Sequence, residues 1–600
     1  STPPAIDGRL GDTAWAAAPV AGSFVQLRPA PGATASEATE VRVLYDDRAL
    51  YVAVRNRDAR PDSVVARLAR RDQAVHSDWF TVLVDSRLDR RTALAFAVNP
   101  RGVKRDYVVV DGADDDAGWD AVWEAAAAVD GEGWTAELRI PLSQLRFSAG
   151  AGERTWGINF AREVARRGEL AYWSPVSPRT AGLAAQSGEL TGLRDLRPPR
   201  RLELPPYSAA RVPRAPGDAA DPFYRPTELL GSAGVDLRLG VTSGLTLAAT
   251  INPDFGQVEA DPSEVNLTAF ESFFQEKRPF FTEGAEMFGG GFPTLFYSRR
   301  IGARPGGSVP READFADVPE RTTILGAARL TGRTAGGWSV GLMDAVTSRE
   351  SASWSAAGPG GARGSEVVEP LANYFVGRVG RDFRRGGSWL GGTLTAVNVR
   401  AEDGVVPGDR VGRAYVGGVD GRHRFGGGDY QVQGALRGSR VAGSADALAL
   451  VQRSPVRFFQ RPDADHLRFD PALTSLAGYS ASASLAKVGG GGLRWNVGGI
   501  AVSPGFEAND LGFFPYADRV RQSAAVEYES FRPGRLFRAW QVRLAQGSGW
   551  TFGGERTDGV LSSFARVQLH SQWSGFAWYD RRLAGLAPAA LRGGPALAYP

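Results

Sequence analysis

One pattern constrains this chain more than any other: an apolar–polar alternation of period two that recurs between residues 231 and 570. Val235, Leu237 and Leu239 alternate with Asp236 and Arg238, and Tyr430, Val432 and Leu436 with Gln431, Gln433 and Arg437. Leu493, Trp495 and Val497 alternate with Arg494 and Asn496. Trp540, Val542 and Leu544 do so with Gln541 and Arg543, and Val567 and Leu569 with Arg566, Gln568 and His570. Successive side chains of a strand point to opposite faces, so each segment carries one apolar and one polar face. Repeated on segments of about ten residues, this is the signature of a membrane β-barrel with a polar lumen. A soluble barrel alternates too, so the pattern by itself leaves both open. The chain has no run of about eighteen apolar residues, the length a helical span requires. Its mean hydropathy of −0.22 is no objection to a barrel, because alternating strands average out near neutral.

The connections between these segments divide into two classes. Residues 241–244, 334–337, 384–388, 426–428, 489–492 and 532–534 are short and mostly glycine-rich, whereas 253–320, 349–370, 441–473 and 503–519 are long. Membrane barrels place short turns in the periplasm and long loops outside. The segment 231–240 runs toward a short turn, so a strand must precede it, and 204–212 supplies one. This places whatever lies N-terminal to 204 in the periplasm. About fifteen strands are counted in this way. Bacterial barrels are usually even-numbered, and 597–600 offers no closing strand, so the expectation is a barrel truncated at its C-terminus.

Residues 1–195 read as a separate β-sandwich. Segments 41–45 and 50–54 flank Asp46-Asp47, a hairpin signal. Strands follow at 78–85, 94–99, 104–110, 133–141, 156–162, 171–175 and 188–190, and 194–199 is a Pro/Arg hinge. Trp15, Trp134 and Trp156 are expected in the sandwich core, where large aromatics dominate packing.

Between the two regions' rhythms lies 251–288, INPDFGQVEADPSEVNLTAFESFFQEKRPFFTEGAEMF. It breaks from a strand at Pro253-Asp254-Phe255-Gly256. Ser263 is then expected to cap a helix with Leu267, Phe270 and Phe274 on one face, ended by Pro279. Its aromatics are laced with acids and with Lys277-Arg278. The expectation is that 253–320 forms a long segment, plug-like within the lumen or extracellular. This run closely resembles the signature of an uncharacterised family of Gram-negative outer-membrane proteins. In that family a carbohydrate-binding-module family 9-like domain precedes a C-terminal transmembrane β-barrel. The entry motif Ile6-Asp7-Gly8 with Asp12 and Trp15 resembles the family 9 modules as well. The expected fold class is therefore all-β: a sandwich over 1–195, then an outer-membrane antiparallel barrel over 196–600.

The resemblance also implies a site. Family 9 modules sandwich a sugar between two tryptophans. Trp173 matches the second, while the first falls near Val75-His76, which is not tryptophan. Trp79, Trp119 and Trp123 are further candidates, and Asn99 keeps a family position, although Ala97 stands where the family carries arginine and Thr81 where it carries glutamate. These modules also bind structural calcium. The acidic run Asp111, Asp114, Asp115 and Asp116 reads either as such a calcium site or as a solvated turn; the spacing is not that of an EF-hand.

Catalysis leaves little trace. Cysteine is absent, the four histidines are scattered, and neither H-E-x-x-H nor G-x-S-x-G occurs. A carboxylate dyad of the glycosidase kind is the one enzymatic class kept open. A net charge of +4 without a basic block gives no sign of nucleic acid. Expected partners are outer-membrane lipid, a glycan or glycoconjugate and, in the competing reading, a periplasmic or envelope protein docked on the sandwich of a non-sugar transport or assembly barrel.

Overall fold

The computed structural model describes residues 3–599 apart from 111–118, 148–151, 178–181, 197–201, 254–263, 290–292, 357–360, 384–386, 402–409, 531–533 and a few single positions. Two β-architectures follow one another along the chain. In the first, a five-stranded and a seven-stranded sheet pack face to face. The inner residues of Ala49–Arg57 and Gly133–Pro141 (Leu50, Val52, Trp134, Leu138) meet those of Trp79–Asp85 and Glu153–Val164 (Phe80, Val82, Trp156, Phe160) in one buried cluster. Trp134 and Trp156 are there as expected, but Trp15 is buried on the other face of the five-stranded sheet, against Ala49, Tyr51 and Ala53, where its Nε1 donates to Glu137 at 2.8 Å.

The second architecture is a sixteen-stranded antiparallel sheet. Its first edge is built from two pieces, Leu202–Glu203 and Pro206–Arg211, both paired with Leu230–Gly240. Pro205-Pro206 interrupts that edge because a proline nitrogen cannot donate to a ladder. From there the strands pair in sequence order to Ser574–Arg582. The sheet is rolled: side chains from Ile324–Arg333 round to Arg519–Ser530 line one common cavity. The alternation sets its two faces. On Tyr430–Ala442, Leu436 is 58% exposed on the outer face while its neighbour Arg437 is 4% exposed on the inner one. Val432, Val497, Val526, Val542 and Leu544 continue the exposed apolar exterior.

The concave face is stratified. Toward the long connections its residues are apolar: Ala248, Met343, Ala345, Val376, Val397 and Val441 pack against Phe280, Phe281, Phe288 and Ile301 of a crossing segment, the described residues of 264–301. They also meet the helix Ala445–Arg453, whose N-cap Ser444 accepts from Ala447 N–H at 3.1 Å. Toward the short turns the inner residues are polar.

The expected helix over 263–278 does not form among the described residues; 264–278 is irregular. Asn266 competes for the backbone: its Nδ2 donates to Phe270 O at 2.6 Å, and its Oδ1 accepts from Thr268 N–H at 2.9 Å. Pro279 begins a one-turn helix, Pro279–Thr282, instead of ending one, since its missing N–H costs nothing at the first helical position. Leu267 stays exposed, and tertiary contacts order the rest. Arg278 donates to the carbonyls of Ile301 (2.8 Å) and Ser298 (2.7 Å) and to Glu276 (2.6 Å). Tyr297 donates from its hydroxyl to Phe274 O at 3.1 Å.

If the outer face meets lipid, Leu436→Lys should cost assembly about 2–4 kcal/mol, whereas Gln433→Lys on the inner face should be tolerated. Folding yield into lipid vesicles checks this, and equal sensitivity at the two positions would count against a membrane barrel.

Candidate functional site

The sandwich meets the rolled sheet through residues 85–92, the connection between Trp79–Asp85 and Thr92–Val98. Two carboxylates fold this connection back on itself. Asp85 accepts from the backbone N–H groups of Arg87 (3.2 Å), Asp89 (3.1 Å) and Arg90 (2.8 Å). Asp89 accepts from the N–H groups of Arg91 and Thr92, both at 2.8 Å. Leu88 and Arg90 are thereby held at φ 53° and 58°, a region side-chain-bearing residues avoid. Such strain persists only where surrounding bonds impose it, and it concentrates at functional loops. Burial pushes the Asp85 carboxyl up to about 6, with the neighbouring Asp89 charge adding to the effect. Burial acts the same way on Asp89, but Arg333 and the N–H donors outweigh it and hold that carboxyl below its ordinary value.

The folded connection grips the short-turn end of the sheet. Asp89 accepts from Arg333 Nη1 at 2.6 Å, and Arg91 donates to Asp382. All four side chains are largely buried. Arg91 also lies over the Trp389 ring, 5.5 Å from its centroid.

Two cavities open around this contact. The first, about 560 Å³, lies between the sandwich (Arg71, Leu94, Trp119, Asp120, Gln144) and the crossing segment (Lys277, Thr282, Glu283). The second, about 720 Å³, lies inside the rolled sheet. Thr92, Glu286 and Met287 line both, so the two spaces adjoin. Glu283 ties the crossing segment to the wall, bonding Arg329 Nη2 at 2.9 Å and Arg238 Nη2 at 3.3 Å.

The residues singled out from sequence fall in different places. Trp119 lines the first cavity with its edge against Phe96, centroids 5.6 Å apart. Trp123 packs on the same Phe96 at 5.4 Å, is buried, and donates from Nε1 to Asp106 at 3.1 Å. Trp79 is 5% exposed on the outer face of the seven-stranded sheet beneath Arg105. Trp173 leans on Phe160 on the core side, so these two tryptophans do not face one another across a slot. Asn99, a candidate for sugar binding, is fully buried. Its Nδ2 donates to Arg67 O (2.7 Å) and Ser77 Oγ (3.2 Å), and its Oδ1 accepts from Arg101 and Val103 N–H (3.0 and 2.9 Å). It shapes a turn. The acids Asp111, Asp114, Asp115 and Asp116 lie outside the described residues. Their described neighbours Asp72, Asp106 and Asp120 converge, but Arg71 sits among them at 3.4, 2.6 and 2.6 Å, where a cation would otherwise go.

Residues 198–565 match the family model described as a domain of unknown function, DUF5916. The chain belongs to that family. Within this member, residues 6–167 also match the carbohydrate family 9 binding domain-like model. Comparison with curated proteins gives no match. Among solved structures, the chain is similar to a family 9 carbohydrate-binding module of Caldicellulosiruptor kristjanssonii in complex with cellotriose. Identity there is 20%, covering 31% of this chain and 88% of that one, TM-score 0.23. It is also similar to OccAB1 of Acinetobacter baumannii (8% identity, 86% and 91% covered, TM-score 0.26). OpdK of Pseudomonas aeruginosa with vanillate gives 10% identity, 84% and 93% covered, TM-score 0.25.

Sequence reasoning missed the 85–92 connection. Its signal was present: two strands joined by eight residues carrying Asp, Asp and three arginines, too long and too charged for a plain hairpin.

Asp89→Asn should weaken the docking of the sandwich by roughly 1.5–3 kcal/mol, because it removes a charge-assisted bond and leaves Arg333 facing a neutral group. Faster tryptic cleavage of the variant between residues 194 and 202, where the two parts join in sequence, checks this; an unchanged rate would show that the contact does not hold the two parts together.

Proposed function

We propose that this protein is an outer-membrane barrel whose sandwich binds a glycan or glycoconjugate from the periplasmic side, in connection with its transport or display. One observation carries the reading: the face of the family 9-like module that bears Trp119 forms one wall of a cavity adjoining the space inside the rolled sheet. Sugars are recognised by an aromatic face beside polar donors and acceptors, and Trp119 with Asp120, Gln144 and Arg71 offers that combination. The exposed apolar exterior supports a membrane setting. The periplasmic placement is supported by the sandwich docking at the short-turn end, which barrels turn toward the periplasm.

A second reading is favoured by one specific observation, the absence of a facing pair formed by Trp79 and Trp173. In it the sandwich of a non-sugar transport or assembly barrel serves only for docking, on the barrel itself and on an envelope protein.

The full chain in detergent, applied to a glycan array and then to calorimetry, separates them. The first reading expects a bound glycan whose affinity falls roughly tenfold, about 1.4 kcal/mol, in Trp119→Ala. An empty array, or a glycan indifferent to Trp119, would favour the second. The first reading also carries a structural calcium ion on Asp111, Asp114, Asp115 and Asp116. Chelation should then lower the unfolding temperature of the protein, as removal of any ligand specific to the native state does.

A further inference from the structure

Three strand residues form a cradle on the inner face of the rolled sheet. Arg238 stands opposite Ala248, and Ala248 opposite Arg329, so the three lie in one row across Leu230–Gly240, Leu245–Ile251 and Ile324–Arg333. Two strand spacings set the arginine backbones about 10 Å apart, and the small alanine leaves the gap between them open. The Glu283 carboxylate fills that gap, with Arg329 Nη2 at 2.9 Å and Arg238 Nη2 at 3.3 Å. Arg329 also donates from Nη1 to the Glu283 carbonyl, and Arg238 is steadied from its other side by Glu203 at 3.7 Å.

The crossing segment is held differently at its two ends. Near 294–301 it is joined to the 503–518 connection by backbone bonds, Tyr297 N–H to Leu511 O at 2.7 Å and Phe513 N–H to Thr294 O at 2.9 Å. At 279–288 it meets the wall through side chains and close fit. A Cβ at Gly284, where φ is 73°, would stand 3.0 Å from Thr331 Oγ1, and one at Gly341 would stand 3.0 Å from Met287 Cβ. Both glycines let the turn lie against the strands. Contacts of charge and fit can part and re-form without unpairing a strand.

The 279–288 end is also where the interior is divided. Phe280, Phe281 and Phe288 belong to the apolar layer near the long connections. Glu286 and Met287 line both the cavity against the sandwich and the cavity inside the sheet. Moving this turn off the wall would breach the apolar layer and join the two cavities.

We infer that residues 279–288 are a releasable gate inside the barrel and that Glu283, seated between Arg238 and Arg329, is its latch. With Glu283 in the cradle the apolar layer closes the lumen. With it withdrawn, the gate swings on the 294–301 end and a passage opens. Glu283 and Arg238 have side chains 24% and 37% exposed, so water takes over both groups when they part. Arg329, 4% exposed, supplies the bias toward closure, because opening strips a buried guanidinium of its carboxylate. The inference rests on the outer-membrane barrel reading and not on glycan binding.

The test is channel recording with the full chain in planar lipid bilayers in potassium chloride. The native protein should be mostly closed. Glu283→Gln, which removes the charge at nearly constant shape, should open about tenfold more often or more, and Arg238→Gln less so, since Arg329 remains. The chain has no cysteine, so Met287→Cys/Gly341→Cys places one thiol pair across gate and wall. A small shift of the turn brings their 3.0 Å Cβ separation into the disulfide range. Oxidised in the Glu283→Gln background, that pair should return openings to the native level, and reduction should restore them. Openings equally frequent in native and Glu283→Gln protein, or indifferent to oxidation, would overturn the proposal. If the variant does not assemble, or the chain forms no channels, amide hydrogen exchange of the native protein in detergent decides. Residues 280–288 should exchange at least about tenfold faster than 324–333 beneath them. One common rate would show the turn to be a fixed part of the wall. Missing channels count against the barrel reading and exchange bears on the latch, so the two failures are told apart.

Discussion

The structure depends on one constraint: every backbone N–H and C=O of a strand in this sheet must be met by its neighbours, in a register that keeps one face outward all the way round. Strand pairs such as Arg413–Phe425 with Tyr430–Ala442 run thirteen residues without a slip, from Arg413 opposite Ala442 to Phe425 opposite Tyr430. A shift of one residue would exchange Leu436 with Arg437 between the two faces, placing a guanidinium outside and a leucine inside. Such a slip would bury an unpaired guanidinium or leucine against the wrong surroundings along the whole strand, which is why the alternation is so strict.

A rolled sheet of this size leaves more interior than its own side chains fill, and the chain fills it in two ways. Near the long connections the crossing segment contributes Phe280, Phe281 and Phe288 to an apolar layer. Near the short turns the interior stays open and polar. The two layers are joined through Glu283, whose carboxylate is shared by Arg329 and Arg238 while Phe280 lies under the Arg329 guanidinium at 5.0 Å. The crossing segment is thus fixed to the wall by charge and by packing together. The sandwich is held by the Asp89–Arg333 and Arg91–Asp382 pairs and by Arg91 lying over the Trp389 ring.

Much of this was legible in the chain. Period-two segments, short turns and long connections yielded about fifteen strands, and the ladder has fifteen positions once the two pieces of its first edge are joined. The sandwich strands fell close to their expected places because each carried its own alternating core residues. What failed was local inference in segments whose structure is not local. The 264–278 stretch looked helical by the spacing of Leu267, Phe270 and Phe274, yet side-chain bonds from Asn266 and tertiary contacts decided otherwise. The burial of Asn99 and its four hydrogen bonds within the fold were likewise invisible to local inference.

By itself the sequence determined fold class, the order of the two architectures and which face of each strand would be polar, because these follow from side-chain period and turn chemistry within ten or so residues. The tertiary structure alone decided the site. Asp89 and Arg333 are separated by 244 residues, and Arg91 and Asp382 by 291; Arg378, Arg422, Arg437 and Arg521 come from four different strands. Only the curvature of the rolled sheet brings those guanidiniums around one space, and only the docking of the sandwich closes it. Neither effect has a local signature, because charge pairing across hundreds of residues depends on where the backbone has already gone.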